Sequence, residues 1–272
     1  MMRIKLLRGP KMHTKSYRAG LIMVAVILLL AVVGLFWTPY DVNEMSYSLK
    51  NSAPSLLHPF GTDNFGRDIL SRVMQGASLS FLIAIAVVGT GTVVGTFIGA
   101  PTGYFGGVVD AVLMRVNDAL SAFPNVLLAL VIIAVIGNGK YNLILALGIV
   151  FIPSYVRVVR GEVLKQKELD YVKNMKLMGA SDFHIIFADI LPNIKTALTA
   201  SVLIGFQNAV LSEAGMSYLG LGVTPPDPSL GRMLSEAQSC LIFAPWYAIA
   251  PGLTILFLTL GLGFISHGLA EH

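Results

Sequence analysis

Six stretches of this chain carry no Asp, Glu, Lys or Arg: 19–37, 73–109, 119–139, 142–156, 196–212 and 237–270. A bilayer's hydrocarbon core is about 30 Å thick and a helix crosses it in about 17–25 apolar residues. Backbone N–H and C=O groups inside lipid must be paired within the chain, so runs of this length fold as helices. The 142–156 and 196–212 runs are short and would borrow flanking residues. The 73–109 run is too long for one straight helix, and Pro101-Thr102-Gly103 is the expected place for it to turn. Only 12% of the residues are charged and 55% are hydrophobic, whereas soluble domains are about a quarter charged. The expected fold is all-α, a polytopic membrane protein of about six transmembrane helices.

Charge placement orients the spans. Arg3, Lys5, Arg8, Lys11, Lys15 and Arg18 precede the first run with no acid among them, which keeps a 1–18 tail in the cytoplasm by the positive-inside rule. The 19–37 helix is expected to stay uncleaved, because Phe36-Trp37-Thr38-Pro39 offers no small-x-small site. A 38–76 external connector and a 77–272 core with a 160–195 cytoplasmic loop follow. Both termini then lie in the cytoplasm, with 137–141 and 214–246 outside. The inner segment 157–195 holds Arg157, Arg160, Lys165, Lys167, Lys173, Lys176 and Lys195, while the outer segments share only Lys50, Arg67, Arg72, Lys140 and Arg232. The net charge of +4 therefore follows topology and is no sign of nucleic-acid binding.

Several chemistries are excluded. Cys240 is alone, so there is no disulfide framework. The histidines at 13, 58, 184, 267 and 272 have no metal-ligand spacing. No GxxxxGK[ST] occurs, so nucleotide is not expected to bind here, and nothing points to hydrolysis. The chain is expected to bind no cofactor or metal and to be no enzyme.

One insert differs from its apolar surroundings: "YVKNMKLMGASDFHIIFADILPN", residues 171–193. Tyr171, Val172, Met175 and Met178 recur at helical spacing and Gly179 follows, where a left-handed glycine commonly ends a helix. Ser181 and Asp182 are both good N-caps for a second helix. That helix carries an apolar stripe of Phe183, Ile186, Phe187, Ile190 and Leu191, and Pro192 ends or kinks it. A DNA-reading helix-turn-helix is disfavoured, since both ends run into spans and the second helix has no arginine. A loop lying on the membrane would not explain a small-residue tip framed by two caps. The sharper reading is a projection on which a partner docks, with the membrane-lying loop as the alternative.

Gly179, with Leu191-Pro192 twelve and thirteen residues on, resembles the cytoplasmic "EAA" loop of permease subunits of binding-protein-dependent ABC importers. The chain departs from that pattern with Lys173-Asn174-Met175 at the triplet and Asp189 at the usual isoleucine. "HPFGTDNFGRDILSRVMQGASLS" (58–80) and "EAGMSYLGLGVTPPDPSLGRML" (213–234), with Leu230 where tryptophan is common, resemble the peptide/nickel branch. The resemblance implies a type I importer permease in a bacterial or archaeal cytoplasmic membrane. It implies a second, different permease subunit, two separate ATPase subunits using ATP and Mg, and an external substrate-binding protein. The residues implied for ATPase coupling are Gly179, Ala180, Ser181, Asp182, Phe183, Phe187, Leu191 and Pro192, with Phe183 and Phe187 as anchors. A di- or oligopeptide and a nickel chelate both remain open as substrate.

Other residues carry two readings each. Gly91, Gly95 and Gly99, continued by Gly103 and Gly107, recur every four residues and suit close helix packing in lipid. Asp110, Asn117 and Asp118 share a face near Arg115, which could pair with Asp118. This group and Glu213 are expected at either a structural or subunit contact, or the pathway. Ile69, Leu70, Val73, Met74 and Ala77 form a short stripe, read as an external connector on which a binding protein could land. Thr224-Pro225-Pro226-Asp227-Pro228 is a stiff outer loop, either scaffold or docking rim. A channel or secondary transporter is the rival reading, and it needs no docking tip.

Overall fold

The computed structural model describes residues 15–270. Of the tail expected over 1–18, residues 1–14 lie outside the described residues, and Lys15 already opens α1 (Lys15–Phe36). Helices dominate, and among the described residues there is no strand, only an isolated bridge between Thr62 and Asp68.

α2 (Ile69–Phe105) starts where the Asp68 carboxylate accepts from Ser71 N at 2.8 Å. It runs 37 residues, about 55 Å at about 1.5 Å per residue. It does not turn at Pro101-Thr102-Gly103, contrary to the expectation from its length. Proline removes the N–H that would bond Phe97 O, yet the helix continues through it, and Thr102 Oγ1 on the next residue lies 2.9 Å from the carbonyls of Ile98 and Gly99. The helix ends at Gly106, whose φ of +68° suits a residue without Cβ. The Ile69–Ala77 stripe forms the first turns of this helix. Ile69, Val73, Met74 and Ala77 are buried, so they offer no landing surface.

The run expected as a third span is broken. α3 (Gly107–Ser121) and α4 (Asn125–Ile136) meet at 88°, because Pro124 disfavours helical backbone at Phe123. α4 spans 12 residues, about 18 Å, short of the hydrocarbon core. α5 (Lys140–Gln166) extends the short 142–156 run at both ends. α6 (Asp170–Leu177) and α7 (Asp182–Asn193) form the corner, and α8 (Lys195–Tyr218) leaves α7 at 67°. Pro192 sits inside the last turn of α7, and the break falls at Ile194. A short α9 (Leu230–Ala237) precedes the last uncharged run and a 3-10 turn at Gln238–Cys240 occupies its front, so α10 begins only at Trp246 and runs to Ala270. Four helices, α1, α2, α5 and α10, are long and apolar enough to cross a membrane, or six spans if each bent pair is one.

Two cores hold the bundle. The larger joins α1, α2, α4, α5, α8, α9 and α10 through residues such as Ile27, Val87, Ile133, Leu147, Val210, Met233 and Leu258. The smaller lies at the corner end and joins Ala100 and Tyr104 of α2, Val159 and Val163 of α5, Val172 of α6, and Ile185, Ile186 and Ile190 of α7. Between the two cores α2 and α5 approach closely. A Cβ on Gly91 or Gly95 would sit 2.9 Å or 2.5 Å from Tyr155 side-chain atoms. On Gly99 or Gly103 it would sit 2.6 Å from Val156 O or 2.8 Å from Arg160 O. Gly107 drops out of the series because α2 has ended, and nothing lies within 4 Å of its Cβ position.

Candidate functional site

The corner is a defined turn. Gly179 takes φ +84°, its N–H bonds Lys176 O at 3.1 Å, and Ala180 N–H bonds Met175 O at 3.1 Å. This paired pattern closes α6 with a left-handed residue. Ser181 is the N-cap of α7, its Oγ accepting from His184 N at 3.3 Å. Asp182, the alternative cap, instead accepts from the Tyr104 hydroxyl at 2.7 Å, with Lys176 Nζ at 4.0 Å.

The middle of α7, Ile185–Ile190, is a π turn, which shifts the buried face relative to an α-helical reading. Ile185, absent from the expected stripe, is buried beside Ile186 and Ile190, while Phe187 and Leu191 are half-buried. Phe183 is no anchor: it is 71% exposed, touching only the Phe187 ring at 4.5 Å among aromatic neighbours. Phe187 does anchor α7, its ring 5.7 Å from Phe97 of α2. Met178 follows the last turn of α6 as its C-cap and points outward rather than continuing the inner face. Leu177, Met178 and Phe183 thus stand exposed around Gly179-Ala180-Ser181, with Pro192 exposed farther along.

The polar residues of α3 face α5. Asp110 takes Arg160 Nε at 2.5 Å and Nη2 at 2.6 Å, and Asp118 takes Arg157 Nη2 at 3.0 Å. Arg115 is exposed and does not pair with Asp118, because Arg157 and Arg160, one turn apart on α5, claim both carboxylates. Asn117 is buried between them in sequence. Glu213 does not reach the surface. It is fully buried, and its carboxylate accepts from Ser80, Ser217 and Ser229 hydroxyls at 2.6, 2.8 and 2.9 Å, joining α8 to α2 and to the start of α9.

A cavity of about 500 Å³ opens between α4, α5 and α8. Its polar lining is Asn125, Ser154, Tyr155, Ser201, Asn208 and Ser212, with Phe151, Val158 and Ile204 between them. No acidic, basic or histidine side chain lines it. None of Asp110, Arg115, Asn117, Asp118 or Glu213 lines it. The signal available was weaker: Ser201, Gly205, Asn208 and Ser212 fall on one helical face, as do Phe151, Ser154, Tyr155 and Val158. Gly205 lets the wall close, since its Cβ would coincide with the Tyr155 hydroxyl.

At the end of the bundle opposite the corner, Glu236 of α9 gathers the connector. It accepts from Arg67 Nη2 at 3.0 Å, Arg232 Nε at 2.9 Å and the Tyr247 hydroxyl at 2.8 Å. Arg67 also bonds Asp63 at 2.6 Å. Burial pushes the Glu236 carboxyl up, but Tyr247, Arg232 and the charges of Arg67 and Arg72 outweigh it and hold the group below its ordinary value.

Residues 91–272 match the family model described as binding-protein-dependent transport system inner membrane component. The glutathione transport system permease protein GsiD of Pectobacterium atrosepticum is 38% identical over 251 residues, covering 90% of this chain and 83% of that protein. GsiD of Escherichia coli O157:H7 is 39% identical over 249 residues, covering 90% and 82%. The dipeptide transport system permease protein DppC of Haemophilus influenzae is 36% identical over 263 residues, covering 93% and 88%.

Proposed function

The chain belongs to the binding-protein-dependent transport system inner membrane components, and from that premise we propose that it is the permease of an ATP-driven importer of small peptides. An external binding protein delivers the peptide, and two separate ATPase subunits drive the change between outward- and inward-open states. A second, different permease completes the pathway.

The observation that carries the reading is the corner. A left-handed glycine and a serine cap hold Leu177, Met178 and Phe183 in the open around three small residues. Exposed apolar groups on a rigid turn suit a groove on a soluble partner, and the lysines and arginines of the 157–195 segment favour the cytoplasmic side for that turn. Both termini then share that side.

The cavity supports a peptide over a metal chelate. Amides and hydroxyls exchange hydrogen bonds with a peptide backbone whatever its side chains, whereas the lining offers a metal no carboxylate, imidazole or thiolate. The relatives named for glutathione and dipeptide transport point the same way. A proton-coupled carrier would need a titratable group in the pathway, and the lining has none of the usual ones.

Affinity purification of the chain from its host membrane, followed by uptake of labelled dipeptide, glutathione and a nickel chelate, tests the proposal. An ATPase subunit is expected to co-purify, peptide uptake is expected to require ATP, and Ser181→Arg at the corner is expected to abolish it. A chain that brings no ATPase, with uptake indifferent to Ser181→Arg, is a channel or secondary transporter instead.

A further inference from the structure

Tyr104 stands one residue from the end of α2 and is buried in the smaller core. A phenylalanine would fill that core equally well, yet the hydroxyl here is aimed at a carboxylate. It donates to Asp182 Oδ1 at 2.7 Å, while Lys176 Nζ lies 5.1 Å from the centre of its ring and 4.0 Å from the same Asp182 oxygen. Two turns back, Phe97 meets Phe187. α2 is thus fastened to both arms of the corner, to α6 through Lys176 and to α7 through Asp182 and Phe187. Among the described residues, Tyr104–Asp182 is the hydrogen bond that joins α2 to the corner. Farther along, the Gly91–Gly103 face clasps Tyr155, Val156 and Arg160 of α5 with no room for a Cβ, and Tyr155 is part of the cavity wall.

We propose that Tyr104 is a positioning residue that makes the corner and α2 move as one body, so that a displacement of the corner reaches the cavity wall through the α2–α5 clasp. The proposal rests on the reading of the chain as an ATP-driven permease. A rigid helix transmits displacement only if its end is held, and a hydrogen bond to a charged group holds more firmly than apolar contact alone because it is directional. The ring above or below a lysine adds a second attachment that a Tyr104→Phe change leaves in place.

The complete importer, carrying the native chain, Tyr104→Phe, Asp182→Asn or both changes, is placed in proteoliposomes. Peptide uptake and ATP hydrolysis are measured in the same vesicles. Tyr104→Phe is expected to hydrolyse ATP at near the native rate while importing several-fold less peptide per ATP, and the double variant is expected to be no worse than the poorer single one. A Tyr104→Phe importer with the native peptide-to-ATP ratio overturns the proposal. So does one in which both rates fall together at an unchanged ratio, since that assigns Tyr104 to stability alone. A native importer with no ATP-dependent uptake overturns the underlying reading as well, which separates the two failures.

Discussion

Arg160 of α5 grips Asp110 of α3 with one edge of its guanidinium, Nε to Oδ1 at 2.5 Å and Nη2 to Oδ2 at 2.6 Å. The planar fork matches the carboxylate, and lysine lacks that geometry. Both side chains are mostly shielded, so Arg160→Ala strands a carboxylate and is expected to cost about 1–3 kcal/mol. Arg160→Lys keeps the charge and is expected to recover only part of this. Thermal unfolding in detergent, run as a cycle with Asp110→Ala, checks it. Additive effects of the two single changes would mean that the residues do not hold α3 through each other.

The α2–α5 clasp predicts a sharp contrast between two glycines of one helix. A methyl on Gly95 would lie 2.5 Å from Tyr155 Cβ, whereas nothing lies within 4 Å of the Cβ position of Gly89. Gly95→Ala is therefore expected to destabilise by about 1–3 kcal/mol, as overpacked cores do. Gly89→Ala should be neutral or stabilising by about 0.5–1 kcal/mol, since alanine loses less entropy in a helix. Unfolding midpoints and the yield of monodisperse protein read both changes. Equal losses at the two positions would contradict the packing.

What the sequence made legible and what it hid follow from how locally each feature is determined. Apolar run length identifies the spans because lipid permits little besides a helix. The corner was legible because Gly179 and Ser181 act through their own backbone and immediate neighbours. The prolines were not. Pro101 is absorbed within α2, Pro124 breaks α3 from α4, and Pro192 sits inside α7 just before a bend. Whether a proline bends a helix depends on what re-satisfies its backbone and clamps its flanks, and those are tertiary facts. The cavity was hidden for a related reason: serines and asparagines within apolar runs read as tolerated polar residues until α4, α5 and α8 bring them together. Charge left two readings open, and Asp110, Asp118 and Glu213 are engaged in pairing and internal hydrogen bonds, though Asp118 pairs with Arg157 across helices where sequence proximity suggested Arg115.

Gly179 is expected to matter through its backbone alone. Its φ is +84° and its Cβ position is open, so a side chain there would meet no neighbour. Gly179→Ala should cost about 1–2 kcal/mol of turn stability from the left-handed conformation itself. Amide exchange across 170–194 should speed up while the spans stay protected. Unchanged protection of the Ala180 amide, which bonds Met175 O, would show that the turn does not depend on glycine.

The Glu236 cluster predicts a pH dependence with a definite sign. Its carboxyl is held below the ordinary range despite burial, by Tyr247, Arg232, Arg67 and Arg72. The unfolded chain then takes up the proton first as pH falls, so the stabilisation is present above the unfolded pKa, about 4.3, and is lost as pH drops through the folded value. Glu236→Gln should unfold more easily than the native chain at about pH 7, and the gap should close on acidification below that range. Unfolding midpoints of the two proteins from about pH 7 to about pH 3 measure it. A gap that widens as pH falls would refute the assignment.

The cavity predicts a separation between transport and folding. Asn208 is exposed on the wall, and neither it nor Ser201 takes part in the packing between α2 and α5. Asn208→Leu keeps the side chain's approximate size and removes both the amide donor and its acceptor. A peptide crossing that surface sheds water and needs replacement partners, and each one missing costs roughly 1–3 kcal/mol. Asn208→Leu is expected to lower peptide uptake about tenfold, with thermal stability, assembly with partner subunits and ATP hydrolysis near native. Asn208→Asp supplies a sharper arm, because a charge in a neutral lining repels acidic peptides and attracts basic ones. Uptake of Glu-containing dipeptides should fall relative to Lys-containing ones in that variant, while the native chain treats them alike. If Asn208→Asp leaves that ratio unchanged, the peptide does not pass along the wall formed by α4, α5 and α8.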